Sequence, residues 1–588
     1  MATAEPPLSA GPASERPAEL SRRWAWPALA LVLCGGLALR LWGVGQGLPF
    51  VFNTDEGSHF VSHAVEMFRH GTLNPHYFAN PPAFTYLLHF LFGLWLGGGS
   101  GTVRALELHP ERVYTLARVT AALLGAGAVW LLYATGARLF GRAVGLLAAA
   151  IEAVAFLPVF YAHLALNDVP TLAPLTLSLL GSAGVLRSGR LREYAIAGAG
   201  LGLACASKYT AGIVLLPLLA ALAVRYLDRG SEPALRSLLG LAIAAVAAVA
   251  SFAVANPYAL LDYASFHRDL VHQSSLSAEA QGKLGAPRDG GLLYYLWSLS
   301  WGLGWVPALA ALAGAIGIWR SRPRLAWMLV PAPLAFLAFM GLQGRYFGRW
   351  LLPVFPIVCL LAAFAAVQVI ALAARALKAR AWRIAAGTAI VLALLAQGTI
   401  YSVHSGLVLA RADTRNLARR WMLAHIPRGA AIVAEPISPD AWARELPRAG
   451  TALPAARLWN KYPSMLSRIS PTGALSSETT SVSIENYVRT LAPALIGYYE
   501  RHGFCWVLSG STQSARALSE PRAVPLAAAY YRDLSQQGEV VYRASPYAHG
   551  AGPVAFNFDW SFDYYPLAYR RPGPDITIYR LHGGRCGG

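Results

Sequence analysis

Residues 22–56 read RRWAWPALALVLCGGLALRLWGVGQGLPFVFNTDE: two arginines, a long apolar run, then an acidic pair. A helix needs about 20 predominantly apolar residues to cross the hydrocarbon core of a bilayer, and residues 24–44 meet that length. Arg22 and Arg23 precede the run and no small-residue cleavage site follows it, so it reads as an uncleaved signal anchor with its N-terminus inside. The polar stretch that begins at Asn53-Thr54-Asp55-Glu56 is then expected to face outward.

Working outward from this anchor, the same test finds further spans at 115–137, 143–166, 171–186, 194–207, 209–224, 235–255, 297–319, 325–342, 351–374 and 384–403, eleven in all. The loops carrying Arg138/Arg142, Arg187/Arg190/Arg192, Arg225/Arg229/Arg236, Arg320/Arg322/Arg324 and Arg375/Lys378/Arg380/Arg383 then share one side. They hold 15 basic and 3 acidic residues, against 9 basic and 10 acidic in the opposite loops, which is the positive-inside asymmetry. Residues 81–96 are apolar enough to span as well. Counting them would turn the arginine-rich loops outward, so they are expected to lie on or dip into the outer leaflet. An odd number of spans leaves the C-terminal part outside.

The expected organisation is a cytoplasmic tail without periodicity (1–23), a transmembrane domain (24–403) with an outer first loop at 45–114, and an extracytoplasmic α/β domain (404–588). The last is read from a helix at 414–425 and short strands around 430–434, 505–508, 539–542 and 576–579. Composition agrees: 55% hydrophobic residues, 13% charged and a mean hydropathy of +0.42 exclude an ordinary cytosolic enzyme. The net charge of +19 would suit nucleic acid, anionic lipid or a phosphate-bearing substrate. Its placement, mainly in short cytoplasmic loops as a topology determinant, speaks against nucleic acid. Five cysteines (Cys34, Cys205, Cys359, Cys505, Cys586) show no metal-ligand spacing.

Ionisable groups at membrane depth are costly and mark function unless they pack helices or snorkel. Four clusters gather at outer ends. Asp55 and Glu56 supply a candidate base and an orienting partner, or an N-cap together with Asn53. His59 and His63, at i, i+4 spacing with Asp55 a turn back, are weak candidates for a divalent metal, or simply the wet face of an interfacial helix. Asn167-Asp168-Val169-Pro170 fills a tight outward turn, where Asp168 is either a helix cap or a second acid. Lys208-Tyr209 marks the tip of a hairpin whose first arm, 194–207, is about 21 Å long as a helix, shorter than the hydrocarbon core. Lys208 is thereby drawn to the depth of lipid phosphates. Gly344-Arg345-Tyr346-Phe347-Gly348-Arg349-Trp350 offers a second phosphate clamp, or an aromatic-basic belt.

A reaction needing all of these is glycosyl transfer from a polyprenyl-phosphate sugar. The phosphate leaving group needs cations at headgroup depth, and the acceptor hydroxyl needs a carboxylate base opposite it. No glycine-rich nucleotide loop is present, and the cytoplasmic loops are too short for a nucleotide-sugar domain.

The order Leu39-Arg40-Leu41, Asp55-Glu56, Asn80-Pro81-Pro82 before Tyr86, Ala117-Arg118, Asn167-Asp168-Val169-Pro170 and Ser207-Lys208-Tyr209 resembles the protein O-mannosyltransferase and aminoarabinose transferase group of GT-C glycosyltransferases. Asn256-Pro257-Tyr258 with Asp262 and Phe266, Gly344-Arg345-Tyr346 before Leu352-Pro353, and Asp413-Thr414-Arg415 leading to Trp421 and Ile426-Pro427 continue it, the last as in bacterial members with an outer C-terminal domain. The resemblance implies a multi-pass protein of a bacterial cytoplasmic (inner) membrane. Asp55 would be the catalytic carboxylate, Glu56 its neighbour and Asp168 a second acid at the donor or acceptor sugar. Lys208 and Arg345, with Tyr209 and Tyr346 beside them, would approach the carrier phosphate, and Arg118 would support the carboxylates. The implied partners are a polyprenyl-phosphate-sugar donor, a hydroxyl acceptor on protein, lipid or glycan, and the bilayer. Some members hold a metal near the first acidic loop, so a divalent metal stays open. The rival reading is a lipid-linked-sugar flippase or other transporter. That predicts pseudo-repeats and polar groups at mid-membrane, whereas here no repeat is detected and the ionisable groups gather on one side.

Overall fold

The computed structural model describes residues 21–228, 234–278, 284, 290–446, 455–462, 487–559 and 564–587. Residues 1–20 of the expected tail, Arg229 and parts of the 256–296 loop lie outside the described residues. Arg22 and Arg23 already belong to the first helix.

Among the described residues, eight helical stretches are long and apolar enough to cross a membrane: Arg22–Leu41, Pro110–Phe140, Tyr209–Leu227, Leu235–Ala255, Gly291–Ser321, Pro323–Gly341, Gly348–Ala376 and Arg380–His425. The remaining expected spans are helical but shorter, at Arg142–Val154, Leu172–Ser188 and Leu191–Ser207. Residues 81–96 form a separate 13-residue apolar helix, Ala83–Trp95. The chain is thus a polytopic α-helical membrane protein with a small α/β domain after it.

Residues 143–166 are not the single span expected. The helix Arg142–Val154 stops at Ala155, whose ψ of 132° leaves the helical region; Phe156–Tyr161 makes a short helix, and the chain then turns back. Irregular backbone at membrane depth is tolerated only where protein covers it, and residues 155–171 are buried throughout. The carbonyls freed at the break find donors. Arg40 Nη1 donates to Ala153 O at 2.8 Å and Nη2 to Glu152 O at 3.2 Å, while Ser402 Oγ donates to Val154 O at 2.8 Å. The sequence Leu39-Arg40-Leu41 therefore supplies a cap for a broken neighbouring helix. The side chains of Arg40 and Glu152 are both buried at this break. A straight helix would keep Glu152 about 24 Å from Asp168; the break removes the basis for that spacing.

The 17-residue helix Leu191–Ser207 is held by glycine contacts. A Cβ on Gly198 would lie 2.1 Å from Ala244 O, one on Gly202 2.1 Å from Ala248 O, and one on Gly200 2.4 Å from Ser178 N. The helices Ala234–Ala255 and Leu172–Ser188 therefore clamp it from two sides, the small-residue packing common between membrane helices. This fixes where its end, Ser207-Lys208, comes to rest. Gly202→Leu is expected to remove most folded protein, read as loss of the monodisperse peak in detergent gel filtration; a wild-type profile would contradict the clamp.

The α/β domain holds a five-stranded sheet of order β2-β1-β3-β5-β4, with β1 Ala431–Ala434, β2 Asn460–Lys461, β3 Trp506–Gly510, β4 Glu539–Ala544 and β5 Ile576–Arg580. β1 pairs parallel with β2 and β3, and β5 pairs antiparallel with β3 and β4. Both sheet faces are covered. Strand alternation sends Val433 and Val507 into one core with Tyr499, Tyr530 and Leu534, and Ile432, Ala434 and Leu508 into another with Met422, Trp442 and Ile578. Cys505 and Cys586 form a disulfide. The domain rests on the first loop of the membrane part: Arg415 lies 3.7 Å from the ring centroid of Phe52, Arg419 lies 4.9 Å from that of Phe50, and Asn416 Nδ2 donates to Gly47 O at 3.0 Å.

Candidate active site

The first acidic motif divides between two environments. Asn53 caps the short helix Thr54–Ser58, its Oδ1 accepting from Glu56 N at 3.0 Å. Glu56 points into the protein. Its carboxylate takes a bidentate pair from Arg118, at 2.7 Å from Nε and 2.8 Å from Nη2, and a further bond from Ala165 N at 2.8 Å, with both side chains fully buried. Arg118 Nη1 also donates to Val44 O and Gln46 O, both at 2.8 Å. This pair staples the first loop, the helix Pro110–Phe140 and the irregular 155–171 segment together.

Asp55 faces the other way. Arg349 Nη2 donates to Asp55 Oδ2 at 2.5 Å, and Arg349 Nε stands 4.0 Å from Asp168 Oδ2. Asp168 Oδ1 in turn pairs with Lys208 Nζ. The turn that presents Asp168 is fixed by its neighbour: Asn167 Nδ2 donates to Ser207 O at 2.5 Å, and Asn167 O accepts from Thr171 Oγ1 at 2.6 Å. The result is an alternating string, Asp55, Arg349, Asp168, Lys208. Asp55 keeps 36% of its side-chain surface open, Arg349 15%, Lys208 13% and Asp168 4%. The accessible carboxylate is Asp55. Arg345 adds a positive charge that acts on Asp55, so two carboxylates face three cations.

Burial works against ionisation of Asp55, but Arg349, then His59 and Arg345, outweigh it and hold the carboxyl below its ordinary value. Burial lowers the pKa of His59, and Arg349 adds to this against the opposing carboxylates; burial likewise lowers His63.

His59 and His63 both stack on Tyr77, at centroid distances of 5.3 and 4.5 Å. Burial pushes the Tyr77 phenol up to about 12, and its hydroxyl accepts from Asn80 Nδ2 at 2.7 Å. Among the described residues no group of three or more His, Cys, Asp or Glu side chains gathers to hold a metal ion. The Arg349 guanidinium stands between Asp55 and Asp168, where a shared cation would sit. The residues present do not fit a metal centre built on His59 and His63.

Other candidates frame the string. Tyr209 OH donates to Phe78 O at 2.9 Å, and Phe78 N donates to Asp269 Oδ2 at 2.9 Å, tying the first loop to the 263–278 segment. Asn74 Nδ2 donates to Asp262 Oδ2 at 2.9 Å in the same junction. Tyr346 packs 4.5 Å from Tyr294 in an aromatic group beside the site. The residue that sequence reasoning passed over is Arg349, seen there only as one of two arginines. Its signal is position: it opens the helical run Gly348–Val354 that enters the membrane stretch, whereas Arg345 lies in the preceding loop, its N–H donating to Ser277 O at 3.2 Å.

Residues 111–255 match the family model "Dolichyl-phosphate-mannose-protein mannosyltransferase"; they include Arg118, Asp168 and Lys208. No curated protein sequence matches the chain. Among solved structures, the apo oligosaccharyltransferase of Archaeoglobus fulgidus aligns at 14% identity over 92% of this chain and 75% of that one, with a TM-score of 0.50. The same organism's AglB with an inhibitory peptide and a dolichol-phosphate gives 14% identity over 91% and 75%, at 0.47. ArnT from Cupriavidus metallidurans bound to undecaprenyl phosphate gives 17% identity over 71% and 83%, at 0.43.

Proposed function

We propose that this chain, which has the GT-C glycosyltransferase fold, transfers a hexosyl or pentosyl group from a polyprenyl-phosphate carrier to a hydroxyl acceptor, with Asp55 as the base. The observation that carries the reading is the Asp55, Arg349, Asp168, Lys208 string, in which one accessible carboxylate adjoins an excess of positive charge. Asp55 takes the proton of the acceptor hydroxyl, whose oxygen attacks the anomeric carbon. The bond to the carrier phosphate breaks, and Lys208 and Arg345 stabilise the departing phosphate. Asp168 orients Lys208 and Arg349, and Glu56 with Arg118 fixes the loop that carries Asp55. Tyr209 and Tyr346 line the approach. On this reading the protein belongs to the cytoplasmic membrane of a bacterium, with the basic loops inside and the α/β domain outside. The charge asymmetry supports this, as does the Cys505–Cys586 disulfide, since disulfides persist in oxidising compartments.

The test is reconstitution of the purified protein in vesicles with labelled polyprenyl-phosphate sugars and a panel of hydroxyl acceptors. Label should move to acceptor with release of one polyprenyl phosphate per transfer, and a nucleotide sugar alone should give none. Lys208→Ala is expected to raise the donor KM about tenfold or more, the scale of losing one charge-assisted contact, with the acceptor KM little changed. An unchanged donor saturation curve would remove Lys208 from the phosphate site.

A further inference from the structure

The transfer string is not completed by the membrane part alone. The Arg349 guanidinium lies over two aromatic rings, 5.0 Å from the centroid of Phe347 and 5.9 Å from that of Tyr161. Each ring is backed by a residue of the α/β domain. The hydroxyl of Tyr161 lies 3.0 Å from that of Tyr564, across 403 residues of sequence, and the ring of Phe347 lies 6.3 Å from that of Phe558. Tyr564 is fully buried among membrane-domain side chains, its ring packed edge-on against Phe156 and Phe160 and 4.9 Å from Trp301. Space for it is made at Gly348: a Cβ there would sit 3.2 Å from the Tyr564 hydroxyl and 3.0 Å from Trp301. Phe558 is held from its own domain by Arg516, 5.6 Å from the ring centroid, and neighbouring Asp559 accepts from Tyr294 OH at 2.9 Å.

From this arrangement we infer that the α/β domain completes the active site, with Tyr564 and Phe558 acting as positioning residues that hold Arg349 through Tyr161 and Phe347. The inference rests on the transfer reaction proposed above and adds to it a role for the extramembrane domain. A guanidinium that bridges two carboxylates must be held in the plane of both, because its donors form a fixed fork. Side chains flanking it with rigid rings restrict that plane, and a hydroxyl bond behind one ring fixes the ring in turn. A domain that served only as a lid or an acceptor platform would not need a tyrosine fully buried in the membrane part next to Arg349.

The experiment compares Tyr564→Phe, Tyr161→Phe and the double variant with wild type in the vesicle assay. Tyr564→Phe keeps the ring and its packing and removes the hydroxyl that lies against that of Tyr161. Expected are a five- to tenfold fall in kcat in each single variant, donor and acceptor KM within about twofold of wild type, and an upward move of the acid limb of the pH–rate profile as Arg349 loosens from Asp55. The double variant should be no worse than either single, because both remove the same bond. Thermal unfolding of Tyr564→Phe should stay within a few degrees of wild type. Unchanged kcat in the single variants, an effect confined to KM or folded yield, or singles whose losses multiply in the double variant would overturn the inference. The two levels separate cleanly: wild type that transfers no sugar from any polyprenyl-phosphate donor fails the proposed reaction. Wild type that transfers, with Tyr564→Phe indistinguishable from it, fails this inference alone.

Discussion

Asp55→Asn should lower transfer by about 10³-fold while leaving the polyprenyl-phosphate sugar bound, because removal of a general base costs roughly 10²–10⁴ in rate. Asparagine keeps the size and one acceptor oxygen, so Arg349 retains a partner and the fold is undisturbed. The substitution also removes one negative charge from a site that already faces three cations, so donor affinity should hold or rise. Equilibrium binding of labelled donor, measured beside single-turnover transfer, checks both halves. Full transfer by this variant would remove the base assignment. The wild-type pH profile carries the same signature. The base works only when ionised, and Arg349 leads the groups that hold its pKa below the ordinary carboxylate value. Activity is therefore present above that lowered pKa and lost only as pH falls through it, which puts the acid limb below the ordinary carboxylate range. The stability linkage has the same sign: a depressed folded pKa contributes stability above the unfolded value and loses it as pH falls through the folded one.

Arg349→Ala is the second large effect, with an expected loss of about 10²–10³-fold in kcat, the scale found when one preorganised electrostatic contact is removed. Here one group serves two carboxylates. Without it, Asp55 and Asp168 repel with nothing between them, and Asp168 is left with Lys208 alone. The acid limb should move upward, opposite to the shift that Arg349 imposes in wild type. Arg349→Lys should recover only part of the rate, because an ammonium is a point charge and lacks the fork that spans both partners. A lysine variant as active as wild type, with an unmoved acid limb, would show that the bridge does not matter.

Eight of the eleven expected spans coincide with helical stretches long and apolar enough to cross a membrane; they were legible because hydrocarbon imposes a length and a composition. The break at Ala155 was not legible. Residues 153–160 are apolar throughout, and the donors that satisfy the break, Arg40 and Ser402, are about 110 and 250 residues away. β1, β3, β4 and β5 showed as β-branched and aromatic runs, while β2, two residues long, had no pattern to show. At the site, Asp55, Asp168 and Lys208 stood out because charge is rare at that depth. Their pairing did not, since it depends on where three separate helix ends meet. Arg349 was hidden for a different reason: four residues from Arg345 in an aromatic setting, it looks like an interfacial belt until the backbone shows it opening the run that enters the membrane stretch. The contact between Tyr161 and Tyr564 had no local sequence signal at all.

The strand order has a consequence for biosynthesis. β5, the fifth strand in sequence, is inserted between β3 and β4, so a nascent chain that has emerged only as far as β4 exposes two sheet edges and cannot close its core. Tyr564 is threaded into the membrane domain only 12 residues before β5 begins. The active site would then be assembled last, after every upstream helix is inserted, and a polypeptide interrupted within β5 would carry all its carboxylates and cations yet remain catalytically silent.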